Sequence, residues 1–220
     1  MVSTDFFATV EFFSGFSPVA LQTFADVAQT RTYHRGDSVF ALDEPATELH
    51  IVRTGRIAIA NRNAEGRESL LALMGPGDLF GEMAVFDEDG RRSAGARALE
   101  PSEVVALPFG PIKDHFTTDN NALWAVVALL VRRLRAADEA LADSVFLDVT
   151  GRTAKRLLEV AGENDEFQLP ITQEELAGMI GASRERVNKA IAQFVRLGWL
   201  SQNERTYRIV DRRKLTQRAS

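Results

Sequence analysis

The segment from Ser183 to Lys189 carries polar side chains suited to contacting base edges and phosphates. Arg184 can donate two parallel hydrogen bonds to O6 and N7 of guanine, and Glu185 can accept one from N4 of cytosine. Lys189, one helical turn further on, can reach a phosphate or a base. These residue types favour nucleic-acid recognition, and a solvated charged helix face is the alternative that they leave open.

Two short helices around a glycine turn would present these side chains. Thr172 is a candidate N-cap, and Glu175 three residues later completes a capping box. Gly181 permits the turn that ends the first helix, and Ser183 caps the second. This order predicts a helix-turn-helix, with a wing formed by strands after Trp199. The predicted DNA contacts are Thr172, Gln173, Ser183, Arg184, Glu185 and Lys189. A plain helical hairpin is the alternative.

A second set of residues places a carboxylate and a guanidinium ten positions apart. Arg92 offers a donor fork for an anion, and Ser93 can donate a hydrogen bond beside it. Glu82 can accept from a hydroxyl group, and Gly81 allows another group to approach the backbone closely. An exposed Glu and Arg near a loop are most often solvated surface, so these residues alone leave both interpretations open.

The region around this second set has the pattern of a β domain. Strand-like runs at Leu49–Val52, Arg56–Ala60 and Val104–Leu107 alternate with turn signals, one of them at Ala64-Glu65-Gly66. Many short strands at this spacing predict an antiparallel roll or barrel. The apolar segment from Asp5 to Ala28 predicts short helices packed on it.

A long helical segment begins near Asn120 and shows a heptad pattern. Its apolar positions recur at intervals of four and three residues, at Leu123, Val127, Leu130, Leu134, Ala137 and Leu141. Three heptads favour a partner helix, which predicts a homodimer with these residues at its interface. The alternative is a helix that lies on the core of its own domain.

The composition excludes several kinds of site. The 220 residues include no cysteine, which excludes disulfides, thiolate zinc sites and iron–sulfur clusters held by Cys. No apolar run is long enough to span a membrane and the N-terminus lacks signal-peptide features, so we expect a cytoplasmic protein. The sequence also lacks metal-spaced acidic or His clusters, a Ser nucleophile elbow and a Walker loop, so we expect neither an enzyme nor a metal site.

The net charge of −5 is unevenly distributed along the chain. Residues 150–220 carry 13 Lys and Arg against 9 Asp and Glu, a net charge of +4. The other 149 residues carry 13 against 22, a net charge of −9. A basic C-terminal segment on an acidic body is expected when only one part meets phosphate, and ordinary variation between halves is the alternative.

Several motifs together resemble the Crp/Fnr family of transcription regulators. They are Phe80-Gly81-Glu82-Met83-Ala84-Val85-Phe86 followed by Arg92-Ser93-Ala94, Phe146-Leu147-Asp148-Val149-Thr150-Gly151-Arg152, Glu174-Glu175-Leu176-Ala177, and Gly181-Ala182-Ser183-Arg184-Glu185-Arg186-Val187-Asn188-Lys189. The resemblance covers nearly the whole chain in order. It implies an α+β fold with a cyclic-nucleotide-binding-like antiparallel β-roll at residues 1–118. A dimerisation helix would follow at 119–147 and a winged helix-turn-helix at 148–220.

The resemblance also implies partners and an effector. A homodimer would bind palindromic double-stranded DNA with half-sites like TGTGA and TCACA, about one helical turn apart, and would contact RNA polymerase. The effector would be a cyclic nucleotide, in the first place cyclic AMP, and no cofactor is implied. The implied ligand contacts are Gly81, Glu82, Met83, Arg92, Ser93, Arg133 and Asp138.

The chain departs from the family pattern where adenine would be held. Cyclic-AMP-responsive members use hydroxyl side chains on the dimerisation helix, at positions that are Ala137 and Asp138 here. Ala137 cannot form a side-chain hydrogen bond, and ionised Asp138 can accept from a base amino group or repel an anionic ligand. Arg133 is expected to bridge to Glu82. The alternatives are a ligand-independent regulator with a degenerate pocket, or a sensor of a different small anion.

Overall fold

The computed structural model describes residues 2–62, 65, 68–118, 121–204 and 206–220. The chain forms two compact units, Met1–Leu134 and Arg135–Ser220. The turn predicted at Ala64-Glu65-Gly66 falls largely outside the described residues. Among the helices that the structure describes, none is both long and apolar enough to cross a membrane.

The first unit begins with short helices that enclose an aromatic cluster. Helix α1 (Thr4–Ala8), a 3-10 turn (Glu11–Phe13) and helix α2 (Pro18–Val27) follow one another, as the sequence predicted. Ser3 and Ser17 cap α1 and α2 with their side-chain oxygens. Their apolar faces bring together buried rings whose neighbours meet mostly edge to face or tilted: Phe7, Phe12, Phe13, Phe16 and Phe24.

Among the described residues of the first unit, eight antiparallel strands form its body, as the pattern of short strands predicted. They are β1 (Gln29–Tyr33), β2 (Ser38–Phe40), β3 (Glu48–Thr54), β4 (Ile57–Arg62), β5 (Glu68–Met74), β6 (Leu79–Phe80), β7 (Gly95–Ala98) and β8 (Ser102–Pro108). One sheet has the order β1-β8-β3-β6 and the other β2-β7-β4-β5. β3 is buried at its centre, from Leu49 to Val52, and β8 is buried along almost its whole length, so both strands contribute to the core. Two helices, α3 (Met83–Phe86) and α4 (Phe109–Thr118), follow β6 and β8.

Helix α5 (Asn121–Phe146) is the long helix that the heptad pattern predicted. One stripe of this helix, at Ala122 and Val126, is buried in the core of the first unit. A different stripe carries the predicted dimer contacts, and it is exposed in the single chain. The N-terminal half of the helix packs on the core of its own unit, as the alternative interpretation predicted. A second apolar face remains uncovered, as expected of a helix that pairs with a partner.

The second unit contains the predicted helix-turn-helix. After α6 (Val149–Ala161) come β9 (Glu166–Gln168), α7 (Gln173–Ile180), α8 (Arg184–Arg196), β10 (Leu200–Asn203), β11 (Thr206–Ile209) and α9 (Arg212–Arg218). Leu157, Leu176, Val187 and Phe194 are fully buried and form the core between the helices. The strands form one antiparallel sheet in the order β10-β11-β9, which is the wing expected after Trp199 with one additional strand.

Candidate functional site

A cleft in the first unit collects most of the residues that the sequence singled out as ligand contacts. About 370 Å³ of space lies within it, part of which is open to solvent. The side chains and backbone that line it are those of Phe40, Ile59, Phe80, Gly81, Met83, Ala84, Arg91, Arg92, Ser93, Ala94 and Arg133. Five of the seven predicted contacts therefore lie together, and whether they touch a ligand stays a prediction.

Arg92 is held deep in this cleft, with only 5% of its surface exposed. Its Nη1 donates to the carbonyl oxygen of Gly81 at 2.7 Å, and its Nη2 donates to that of Glu48 at 2.8 Å. The guanidinium carbon lies 4.1 Å from the centre of the Phe40 ring, within cation–π distance. Nε is buried and has no hydrogen-bond partner among the described residues. The donor fork is thus occupied by backbone carbonyls, and Nε remains as a buried donor.

Electrostatics around Arg92 explain how a buried guanidinium persists there. Burial lowers its pKa, while the negative charges of Glu48, Glu44 and Glu82 act in the opposite direction. Arginine stays protonated in proteins even when its pKa is lowered, so the cleft keeps a cation at its base.

Gly81 is required at its position by the arginine next to it. The residue has φ +75°, which glycine adopts without strain, and a Cβ atom there would lie 2.5 Å from Nη1 of Arg92. The sequence analysis predicted that Gly81 lets a ligand approach the backbone closely. In the structure the closely approaching group is the guanidinium of Arg92.

Glu82 lies in the chain between Gly81 and Met83, which line the cleft, and is itself almost completely buried, with 1% of its surface exposed. Nη1 of Arg133 approaches its Oε1 to 2.8 Å, as the sequence anticipated, while Nη2 of Arg133 donates to the carbonyl of Leu79 at 2.6 Å. Neither carboxylate oxygen has a partner in hydrogen-bond geometry among the described residues. Burial raises the pKa of Glu82, and the charges of Arg133 and Arg92 partly offset that. The carboxylate can therefore accept hydrogen bonds from a bound hydroxyl group.

Ser93 and Met83 are exposed at the cleft and contact each other. The Ser93 hydroxyl donates to the Met83 thioether at 3.7 Å, and a thioether is a weak acceptor. The hydroxyl can therefore turn to a stronger acceptor at little cost. Arg91, which the sequence analysis did not single out, also lines the cleft and donates to the carbonyl of Asp43 at 2.6 Å.

A charged layer behind the cleft was also missed. Glu48 makes two hydrogen bonds with Arg31, and its Oε1 lies 3.4 Å from Nε2 of His50. Contacts with His50 and Arg31 lower the pKa of Glu48 to about 2, against the effect of burial. Glu48 and His50 alternate on β3 and face the same side of the strand, which is a periodicity that the sequence analysis could have used.

The remaining predicted contacts of a nucleotide base lie in the second unit. Ala137 and Asp138 are exposed on α5 beyond Leu134, where the second unit begins. Their contact with a base stays a prediction.

The helix-turn-helix presents its predicted contacts on the exposed start of α8. Thr172 and Glu175 form a capping box at α7, with the Thr172 N–H donating to Glu175 at 2.7 Å. Gly181 ends α7 in the left-handed conformation, and Ser183 caps α8. Arg184 is exposed beside this cap. The local signals in the sequence therefore placed both helices correctly.

Glu185 and Lys189 form an ion pair along the exposed face of α8. The Lys189 Nζ lies 2.8 Å from Oε1 of Glu185, and this contact lowers the pKa of Glu185. Both side chains are about three-quarters exposed. Gln173, at the start of α7, donates to the Tyr207 hydroxyl at 3.5 Å and so lies next to the wing. Exposed pairs of this kind exchange readily with other partners.

The predicted dimer contacts form an exposed apolar stripe on α5. Leu134 is 62% exposed and Leu141 is 65% exposed, and the stripe also includes Leu123, Val127, Leu130 and Ala137. Large apolar side chains in a continuous row are unusual on a free helix, which is consistent with a partner surface.

Comparisons with known proteins match both units. The family model of the cyclic nucleotide-binding domain matches residues 30–119, and that of the Crp-like helix-turn-helix domain matches residues 151–218. A "CRP-like cAMP-activated global transcriptional regulator" from Mycobacterium tuberculosis is 36% identical over 222 residues, which covers 98% of this chain and 99% of that protein. The "cAMP-activated global transcriptional regulator CRP" of Escherichia coli is 29% identical over 177 residues, covering 78% of this chain and 84% of that protein.

Solved structures give the same result for the fold. The catabolite activator protein of Thermus thermophilus is 30% identical and matches with a TM-score of 0.53, covering 95% of this chain and 98% of that one. FixK2 from Bradyrhizobium japonicum matches with a TM-score of 0.79 over 88% of this chain and 98% of that one, at 23% identity, which shows a shared fold. With a relative at 36% identity along nearly its full length and both family models in order, the chain belongs to the Crp/Fnr family of transcription regulators, with a cyclic nucleotide-binding domain followed by a DNA-binding helix-turn-helix domain.

Proposed function

We propose that the chain acts as a homodimer that binds palindromic DNA under the control of cyclic AMP held in the cleft. The observation that carries the proposal is a buried guanidinium that lines the cleft and a buried carboxylate next to it in the fold, each with open hydrogen-bonding capacity. Arg92 keeps an unpaired Nε–H, and Glu82 keeps two oxygens without hydrogen bonds among the described residues. Buried polar groups of this kind usually have a partner, and a ligand can supply it.

The chemistry of a cyclic nucleotide complements these groups. Its phosphodiester carries one negative charge, which Arg92 can meet with a charge-assisted hydrogen bond. Its ribose 2′-hydroxyl can donate to Glu82. Ser93 can exchange its weak thioether contact for a phosphate oxygen, and Ile59 and Met83 offer apolar surface to the base. The relatives in Mycobacterium tuberculosis and Escherichia coli are described as cAMP-activated, which supports cyclic AMP as the first ligand to test.

Calorimetry with cyclic AMP, cyclic GMP and linear AMP tests the ligand assignment. Wild-type protein should bind cyclic AMP, Arg92→Gln should weaken binding on the order of 100-fold, and Arg92→Lys should keep part of the affinity because it keeps the charge. Glu82→Gln should cost about tenfold or more with cyclic AMP and little with 2′-deoxy cyclic AMP, since that analogue lacks the donor. Equal losses with both nucleotides would contradict the role of Glu82.

The DNA contacts belong to the same proposal. Arg184 would contact a guanine, Glu185 a cytosine, and Lys189 a phosphate or base, with Thr172, Gln173 and Ser183 near the backbone. The Glu185–Lys189 pair would open on binding. Arg184→Ala should cost about 1–3 kcal/mol on a palindrome with TGTGA and TCACA half-sites, and the cost should vanish when the contacted guanine is replaced. A loss that is equal on all sequences would indicate phosphate contact only.

We further propose a cytoplasmic location and contact with RNA polymerase, as expected of a transcription regulator of this family. The sensor, dimerisation and DNA-binding segments are proposed at 1–118, 119–147 and 148–220.

A ligand-independent regulator is the second candidate, and one observation favours it. The donor fork of Arg92 is already occupied by the carbonyls of Gly81 and Glu48, and Ala137 and Asp138 replace hydroxyl side chains. In that case calorimetry would show no heat with any of the three nucleotides, and the protein would bind the palindrome tightly without ligand.

A further inference from the structure

His50 is a buried, ionisable side chain directly behind the cleft. It lies on β3 with 1% of its surface exposed. Its ring stacks on Phe80, with centroids 5.2 Å apart and an interplanar angle of 21°, and lies 5.4 Å from the ring of Phe40. Both of these phenylalanines also line the cleft. Neither ring nitrogen of His50 has a hydrogen-bond partner among the described residues.

Three charged groups act on His50. Glu48 on the same strand lies 3.4 Å from Nε2, Arg31 reaches in from β1 through its bonds to Glu48, and Arg92 lies across the Phe40 ring. Burial lowers the pKa of His50 most, Glu48 raises it, and the positive charges of Arg92 and Arg31 lower it further. Glu48 has a pKa of about 2 and stays ionised throughout the range in which a histidine titrates.

We propose that His50 takes up a proton when the cleft binds an anionic nucleotide, so that the affinity for the nucleotide increases as the pH falls. The proposal rests on the proposed function, because it needs an anionic phosphate at Arg92. A bound phosphodiester neutralises Arg92, and this removes one of the two positive charges that oppose protonation of His50. The phosphate also adds a negative charge next to Arg92, which lies over the Phe40 ring.

The sign follows from linkage. Without ligand, the pKa of His50 lies below the ordinary histidine value of about 6.5, so the ring stays neutral at a more acidic pH than an ordinary histidine does. If bound nucleotide raises that pKa, the complex binds the proton more readily than the free protein, and nucleotide binding tightens as the pH falls through the titration of His50. Each unit of increase strengthens binding by up to about tenfold across the titration.

Glu82 is a second group in the cleft with a raised pKa, and an anionic ligand would raise it further. Its contribution must therefore be separated from that of His50. His50→Phe should abolish the pH dependence that belongs to His50, and Glu82→Gln should leave that part in place. His34→Gln is the matched control, because His34 is exposed and pairs with Asp37 away from the cleft.

The test is an NMR titration of the three histidine rings in the full-length protein, assigned with single His variants. In wild-type protein, saturating cyclic AMP should raise the pKa of His50. Without nucleotide, Arg92→Gln should raise the pKa of His50 in the same direction, and Arg92→Lys should not. Calorimetry between pH 5.5 and 8 should show tighter binding at the acid end in wild type and His34→Gln, and a smaller change in His50→Phe.

The outcomes separate this inference from the proposed function. If cyclic AMP binds while the pKa of His50 stays unchanged, the proton coupling is wrong and the proposed function stands. If no nucleotide binds at any pH, both are wrong. A pKa of His50 that does not respond to Arg92→Gln in a folded variant would also overturn the coupling.

Discussion

At the residue scale, the cleft is organised around Arg92. Contacts with this side chain, more than contacts with a ligand, account for the residue types around it. Gly81 needs to lack a side chain because the guanidinium of Arg92 occupies the space that a Cβ atom would fill. The backbone carbonyl of Glu48 accepts a hydrogen bond from the same guanidinium. Motifs in the sequence identified Gly81, Glu82, Arg92 and Ser93. They could not show that the donor fork points to backbone carbonyls, because such contacts depend on how residues distant in the sequence meet in the fold.

Gly81→Ala tests this arrangement. A Cβ at Gly81 would need both a left-handed backbone and displacement of Arg92, so we expect a loss of nucleotide affinity together with a stability loss of about 1–3 kcal/mol. Gly77→Ala is the matched control, because Gly77 has φ +89° with nothing within 4 Å of the added atom. Chemical denaturation and calorimetry measure both effects. Equal stability loss and unchanged nucleotide binding in the two variants would contradict the role assigned to Gly81.

Glu48 predicts a specific acid sensitivity. Its pKa in the folded protein, about 2, is lower than the ordinary value of 4.5, so it stabilises the fold above pH 4.5 and this stabilisation is lost as the pH falls towards 2. The ceiling is roughly 3 kcal/mol, since each unit corresponds to 1.36 kcal/mol. Glu48→Gln should reduce stability at pH 7 and flatten the loss between pH 4.5 and 2 relative to the wild-type protein, as urea denaturation would show. A parallel pH profile in both proteins would refute it.

At the element scale, the sequence predicted the elements that have strong local signals. The capping box at Thr172 and the glycine at 181 located α7 and α8, and the heptad spacing located α5. Strand β9 and helix α9 were missed. Strand β9 is short and polar, and pairing with β11 rather than hydrophobic periodicity makes it a strand. The charged layer of Arg31, Glu48 and His50 was missed because it joins β1 and β3, which are 17 residues apart at the Arg31–Glu48 bond.

The exposed stripe on α5 predicts the oligomeric state. Leu134→Glu with Leu141→Glu should convert a dimer to a monomer, because the two carboxylates would face each other across a coiled-coil seam. Ala136→Glu with Ala142→Glu is the control, because it adds the same two negative charges at exposed positions off the stripe on the same helix. Sedimentation at micromolar concentration measures the mass of each. Wild-type protein that is already monomeric, or a double variant that remains a dimer, would contradict the assignment.

At the scale of the whole molecule, the chain joins an acidic sensor unit to a basic DNA-binding segment through α5. Family membership establishes the two kinds of domain, and the sequence motifs alone were sufficient to predict them in order. The proposal adds the identity of the ligand, cyclic AMP, and its effect on the affinity for DNA. A ligand controls DNA binding only if it binds the DNA-competent state more tightly, and the effect must be reciprocal.

The most direct test is the affinity for a fluorescent palindrome with TGTGA and TCACA half-sites, measured by anisotropy with and without saturating cyclic AMP at fixed salt concentration. The account predicts that cyclic AMP tightens binding of the wild-type protein about 5- to 150-fold, and that the palindrome tightens cyclic AMP binding by the same factor. Arg92→Gln should show neither effect at the same nucleotide concentration. Equal affinity for the palindrome with and without bound cyclic AMP would contradict the account.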